Sequence, residues 1–123
     1  MESKRTGIGL KGEELAFRFL TEKGFKVLER NFRCPLGEID IIGREGDVIV
    51  FVEVRTRRSY RFGSPVESVD VRKQKRLSHL ALYYLKVKGM LGRAARFDVV
   101  GITLGEKEEV DINWIRDAFD FQG

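Results

Sequence analysis

Three carboxylates and a guanidinium fall close together near the middle of the chain. Glu38 and Asp40 sit in GEIDII (37–42), and Glu53 and Arg55 in VFVEVRTR (50–57). Both segments read as β-strands, joined around Arg44-Glu45-Gly46-Asp47, a short connection suited to an antiparallel hairpin. Side chains alternate along a strand, so Glu38, Asp40 and Ile42 share one face. Ile49, Phe51, Glu53, Arg55 and Arg57 share a face of the second strand, and Val50, Val52 and Val54 the other. A turn near Glu45-Gly46 sets Glu38 opposite Glu53 and Asp40 opposite Phe51; a slightly longer loop sets Asp40 opposite Glu53. Either register gathers the carboxylates and Arg55 on one side. Like charges opposed on a sheet destabilise it unless a cation compensates. Arg55 and Arg57 can supply that charge as an ion-pair network, or a divalent metal can. Mg²⁺ takes one or two carboxylates and leaves its other positions to water and substrate phosphate. Spacing alone leaves both readings open.

The charge distribution bears on that choice. The 123 residues carry a net +4, unevenly placed. Residues 55–76 hold eight Lys/Arg against Glu67 and Asp70, a local +6, whereas residues 34–54 and 104–123 are each at −4. A basic block beside an acidic one suits a protein that attracts a phosphate backbone and holds a cation. A solvated charged surface is the plainer reading of charge taken alone.

The elements that must position these residues follow from periodicity. Leu15, Ala16, Phe19 and Leu20 form the apolar stripe of a helix over 10–23, ended by Gly24. Residues 25–32 read as an irregular strand, with a turn at Arg33-Cys34-Pro35-Leu36-Gly37. A second helix starts at Asp70 as N-cap, with its stripe at Leu77, Leu80, Ala81, Tyr84 and Leu85. Residues 96–104 read as a strand, 109–113 as another, and 114–119 as a short terminal helix. The core order is α-β-β-β-α-β: an α/β domain with a central mixed sheet flanked by helices, spanning 1–123, with 1–8 a flexible lead-in.

Several features are set aside. Gly7-Ile8-Gly9-Leu10-Lys11-Gly12 spells a dinucleotide fingerprint, but no strand precedes it, and the motif needs a strand-to-helix turn. His79 lies off its helix's apolar stripe and reads as a surface residue. Cys34 has no second cysteine or nearby histidine, which supports neither zinc nor thiol chemistry. Ser59, Ser64 and Ser68 have no partners at triad spacing. Asp98 is expected to pair with Arg96 or with a neighbour in the sheet, and Trp114 and Phe119 to cap the core. No apolar run approaches the ~20 residues of a membrane span, residues 1–12 lack a signal peptide's apolar stretch, and the single cysteine fits a reducing compartment. The expectation is a cytoplasmic protein without membrane contact.

GEIDII, VFVEVRTR and RFDVV (96–100), with KGEELAFRFLTEKGF (11–25) and FGSPVESVDVRKQKRL (62–77), closely resemble the YraN family of small bacterial proteins. The resemblance covers roughly residues 7–105. It implies the restriction-endonuclease-like fold, nearest to Holliday-junction resolvases, in which an Asp and a Glu-x-Lys on the next strand bind Mg²⁺. Carried over, the Asp is Asp40 and the Glu is Glu53, with Glu13 resembling an acidic residue that holds metal through water. Where the pattern has Lys, this chain has Arg55. Arginine stays charged and cannot act as a base, though it can stabilise developing phosphate charge. Lys73, charged on the inward stripe of the second helix, resembles a helix-borne residue placed beside the metal in such nucleases; the alternative is a side chain snorkelling to solvent.

The leading expectation is an endonuclease acting on DNA rather than RNA, with branched DNA as a candidate substrate and Mg²⁺ or Mn²⁺ as the cofactor. Asp40 and Glu53 would ligate the metal, Glu13 and Glu38 assist, and Arg55 and Lys73 position the phosphate. Arg57, Arg58, Tyr60, Arg61, Arg72, Lys75 and Arg76 would contact nucleic acid. A homodimer is expected if the resolvase analogy holds. The alternatives are a binding module of the same fold that no longer cuts, for which Arg55 speaks, and a protein-interaction domain.

Overall fold

A computed structural model describes residues 7–58 and 63–123. Helix α1 (Gly7–Glu22) is followed by strands β1 (Lys26–Cys34), β2 (Gly37–Glu45) and β3 (Val48–Arg57), helix α2 (Val71–Val87), then strands β4 (Ala95–Leu104) and β5 (Val110–Phe119), with a single 3₁₀ turn at Val66–Ser68 before α2. The five strands lie in sequence order in one sheet. β3 and β4 pair in parallel, joined across α2, and every other neighbouring pair is antiparallel. The expected α/β architecture, a mixed sheet between helices, is the one observed. Among the described residues no helix is long and apolar enough to cross a membrane.

Each helix covers one face. Ala16 and Leu20 of α1 pack on Ile41, Val50, Val52, Val100 and Ile102. Leu77, Leu80, Ala81, Tyr84 and Leu85 of α2 pack on Ile39, Ile42, Ile49, Phe51, Phe97 and Val99. β3 therefore alternates as its sequence requires, valines to α1 and Ile49 and Phe51 to α2. α2 begins where its N-cap predicts, with the Lys73 N–H donating to Asp70 Oδ1 at 2.9 Å.

Two expectations are corrected. Gly7-Ile8-Gly9 is not a flexible lead-in but the first turn of α1; residues 1–6 lie outside the described residues. Gly12 is required by close approach, because a Cβ there would overlap the Thr56 side chain of β3. The segment 114–119 is strand, not helix. Trp114, Ile115, Ala118 and Phe119 carry a helix-like spacing because a bulge interrupts β5 opposite Phe97–Val99, with Asp117 at φ 53°. Trp114 thus packs toward α1, and Ala118 and Phe119 toward α2.

Asp98 seals that bulge. Although it is 0% exposed, its carboxylate accepts from Arg96 Nε (2.8 Å), Trp114 Nε1 (2.9 Å) and the Asp117 N–H (2.9 Å). Arg96 also reaches Glu45 Oε1 at 2.6 Å, and Arg116 donates to Glu45 Oε2 at 2.9 Å while its guanidinium lies 3.6 Å from the Trp114 ring centroid. Hydrogen bonds from Arg116 and then Arg96 hold the Glu45 carboxyl down to about 2.

This packing makes two outcomes measurable. Gly12→Ala forces α1 off β3 and costs about 2 kcal/mol, read as a lower midpoint in urea, with partial recovery in Gly12→Ala/Thr56→Ala. Glu45 has a lower pKa folded than unfolded, so its contribution is complete above its ordinary value of 4.5 and is lost as pH falls toward about 2. Because Arg116 is 51% exposed, solvent screening limits that contribution to about 1 kcal/mol. Glu45→Gln should flatten the acid limb of a stability-against-pH curve by that amount.

Candidate metal and phosphate site

β2 and β3 pair in a register that sets Glu45 against Val48 and Ile41 against Val52. The turn is therefore a tight Gly46-Asp47, one residue beyond the position that would oppose Glu38 and Glu53. Continued by one step, this register brings Asp40 to Glu53 without any lengthening of the loop. There the two strands diverge. The Val54 N–H donates to Asp40 Oδ2, at 2.8 Å. Alternation in β2 also slips at this point: Ile39 and Ile42 pack toward α2 but Ile41 toward α1. Glu38, Asp40 and Ile42 thus do not share one face as simple alternation predicts. In β1, Asn31 stands at φ 54° between Arg30 and Phe32, which pair with Ile41 and Ile39.

The fork opens a polar pocket of about 240 Å³ lined by Glu38 and Asp40 of β2, Glu53, Val54, Arg55 and Thr56 of β3, and Ile8, Gly9 and Glu13 of α1. All four carboxylates singled out in the sequence meet here. Glu53 is 6% exposed, and its Oε2 is approached by Arg55 Nη1 at 3.2 Å and Lys73 Nζ at 3.3 Å. Lys73 therefore reaches inward from the first turn of α2 rather than snorkelling away. Burial, with the Glu53 carboxylate beside it, pushes the Asp40 carboxyl well above the usual range; the Val54 N–H opposes this, Glu13 adds to it, and Lys73 relieves it. Glu38 Oε2 accepts from Arg33 Nε at 2.8 Å.

Among the described residues no group of three or more His, Cys, Asp or Glu side chains is arranged to hold a metal ion. The donors that fit are the pair Asp40 and Glu53, two hard oxygen ligands in a polar pocket, a set suited to Mg²⁺ and incomplete without water or phosphate.

Sequence reasoning misses the device that holds Arg55. Its Nε donates to Ser68 Oγ (2.8 Å) and its Nη2 to the Ser68 carbonyl (2.9 Å). Ser68 reaches this position because Pro65 lies on Gly101 of β4, where a Cβ would collide with the proline ring. Gly101 is the β4 partner of Arg55. Along the chain Ser68 has only its lack of triad partners to show, and no local signal ties it to a guanidinium.

The basic residues divide. Arg58, Arg72, Lys75 and Arg76 are exposed or half-exposed. Arg57, expected to contact nucleic acid, is the last residue of β3 as its alternation predicts; it donates to the Gly63 carbonyl and, at 3.3 Å, to Thr103 Oγ1. Tyr60 and Arg61 lie outside the described residues. His79 is exposed, as expected, and Cys34 is a free, partly buried thiol packed beside the α2 cluster.

The model of the uncharacterised protein family UPF0102 matches residues 12–102. The chain belongs to this family. UPF0102 is the YraN family resembled by GEIDII and VFVEVRTR. Similar relatives include UPF0102 proteins of Moorella thermoacetica, 51% identical over 97% of this chain and 100% of the relative, and of Dictyoglomus turgidum, 50% identical over 87% and 90%. One from Clostridium perfringens is 41% identical over 97% and 98%. Among solved structures, the chain is similar to an EndoMS–dsDNA complex (TM-score 0.49, 24% identity, 79% of this chain and 36% of that one). It is also similar to a repair endonuclease from Pyrococcus abyssi (TM-score 0.43, 20% identity, 86% and 42%). The chain thus spans well under half the length of either.

Removing one of the two adjacent charges should stabilise the UPF0102 fold. Asp40→Asn keeps an acceptor for the Val54 N–H and relieves both burial and repulsion. Its stability at pH 7 should rise by about 1 kcal/mol, on the order of a few °C in Tm. A lower Tm would mean that Arg55 and Lys73 already compensate the pair.

Proposed function

We propose that this chain is a divalent-metal-dependent endonuclease of restriction-endonuclease-like type acting on DNA. The observation that carries the reading is the meeting of Asp40 and Glu53 at the fork of β2 and β3, with the Lys73 ammonium and the Arg55 guanidinium both on Glu53. Asp40 and Glu53 would hold Mg²⁺ or Mn²⁺, and Glu13 and Glu38, which line the same pocket, would hold its water. A bound cation supplies the positive charge that lets a water attack a phosphodiester near neutral pH.

The remaining roles belong to the chain itself. Arg55, planar and permanently charged, steadies the negative charge that grows on the phosphate. Arg55 cannot take a proton, and Lys73 reaches Glu53 as an ammonium, so both position the phosphate rather than accept the proton of the attacking water. Arg55 and Lys73, both on Glu53 Oε2, hold that carboxylate in place at the pocket. Arg58, Arg72, Lys75 and Arg76 bind the phosphate backbone, which makes affinity fall with salt by about one unit of logarithmic slope per phosphate neutralised. Symmetric cutting of a branched substrate would require two chains about a two-fold axis.

The non-cutting alternative is favoured by one observation: all three guanidinium nitrogens of Arg55 donate within the protein. Cleavage of labelled duplex, single-stranded and four-way-junction DNA with Mg²⁺, Mn²⁺ or EDTA separates the two. The expected result is metal-dependent cutting that falls at least about 100-fold in Asp40→Ala and Glu53→Gln, and less in Lys73→Ala. Salt-sensitive binding without cutting under either metal would leave the binding module, and Arg55→Lys becomes the variant that tests whether lysine restores activity.

A further inference from the structure

We infer that a second pocket, on the far side of Arg55, receives one unpaired nucleobase of the DNA strand whose phosphate occupies the carboxylate pocket. The inference rests on the endonuclease reading and adds a substrate class to it. This cavity, about 250 Å³, is lined by Val54, Arg55, Thr56, Arg57, Pro65 and Ser68. Val54, Arg55 and Thr56 line the carboxylate pocket as well, so the end of β3 is a wall common to both. The volume lies below the roughly 300–1,000 Å³ of pockets that enclose drug-sized ligands, which suits a single ring system.

The chemistry of the lining favours a ring over an anion. Val54 and the buried Pro65 are apolar. The two guanidinium groups direct N–H donors elsewhere: Arg55 to Ser68 and Glu53, Arg57 to Gly63 and Thr103. A phosphate would compete for those engaged edges. A base needs only the flat face of a guanidinium, and one held by its edge is already oriented for stacking. A base paired and stacked inside a duplex cannot enter such a cavity without being extruded. The pocket therefore selects DNA with an unpaired nucleotide beside the phosphate at Asp40 and Glu53.

The test uses the full chain with Ca²⁺ in place of Mg²⁺ or Mn²⁺, a hard cation that occupies the carboxylate pocket, and reads binding alone. Three duplexes of one sequence are compared by fluorescence anisotropy: fully paired, with one unpaired adenine, and with an abasic unit at that position. The unpaired adenine should bind about tenfold tighter than the abasic unit, and 2-aminopurine placed there should lose emission on binding. Arg57→Lys keeps the charge but not the plane, and should remove most of that tenfold gain. Equal affinity for adenine and the abasic unit in the wild-type chain overturns the inference, whatever the variant does. So does displacement of the strand by deoxyadenosine monophosphate at equal concentration, which would make the pocket a free-nucleotide site. A base-dependent gain in a chain that never cuts would retain the subsite and discard the endonuclease reading. Cutting that is indifferent to the unpaired base would discard the subsite alone.

Discussion

Two carboxylates held side by side with restricted access to water repel each other and lose hydration, so a fold that contains them must fix compensating charge against them. Much of this domain can be understood as the means of doing so. Asp40 and Glu53 meet because the β2–β3 hairpin is tight and because its strands diverge just past Ile41 and Val52. The Val54 N–H turns to Asp40, and the ammonium of Lys73 and the guanidinium of Arg55 close on Glu53. Each cation comes with its own anchoring: Lys73 from a helix turn capped by Asp70, Arg55 from a 3₁₀ turn docked on the sheet. The repulsion is contained by backbone and helix geometry rather than by flexible surface charges.

Close backbone approach is the second requirement. Gly12 lets α1 descend onto Thr56, which brings Ile8, Gly9 and Glu13 to the pocket rim. Gly101 does the same for Pro65 on the other side of β3, and through it for Ser68. A methyl group at either position would push one wall of the site outward, a displacement that close-packed interiors transmit rather than absorb.

The sheet also separates rigidity from chemistry. At one end Glu45, Arg96, Asp98, Arg116 and Trp114 form a network in which the buried Asp98 accepts several donors. Its polar groups answer one another, and it ties β2, β4 and β5 together. At the other end the carboxyl of Asp40 is held far above its ordinary range. The same residue type thus stabilises where donors surround it and strains the fold where an acid faces it.

Much of this is legible in the residues alone. Apolar periods place both helices and the hairpin, Asp70 marks the start of α2, and the acidic pair beside a basic block marks the region of the site. Those properties are local: they depend on neighbours within one turn or one strand, which the chain order specifies directly. The pairing register stays open between two alternatives in the sequence, because a one-residue shift of a short turn is nearly invisible there. The bulge in β5 gives residues 114–119 a helical spacing, since the two residues added between Ile115 and Phe119 break the alternation of a strand. Ser68 clasping Arg55, Arg57 turned toward Gly63 and Thr103, and the slip in β2 at Asp40 are decided by tertiary structure alone. Each joins groups on different elements, or depends on how strands diverge, and no spacing along the chain encodes which side chain arrives opposite another once the sheet has twisted.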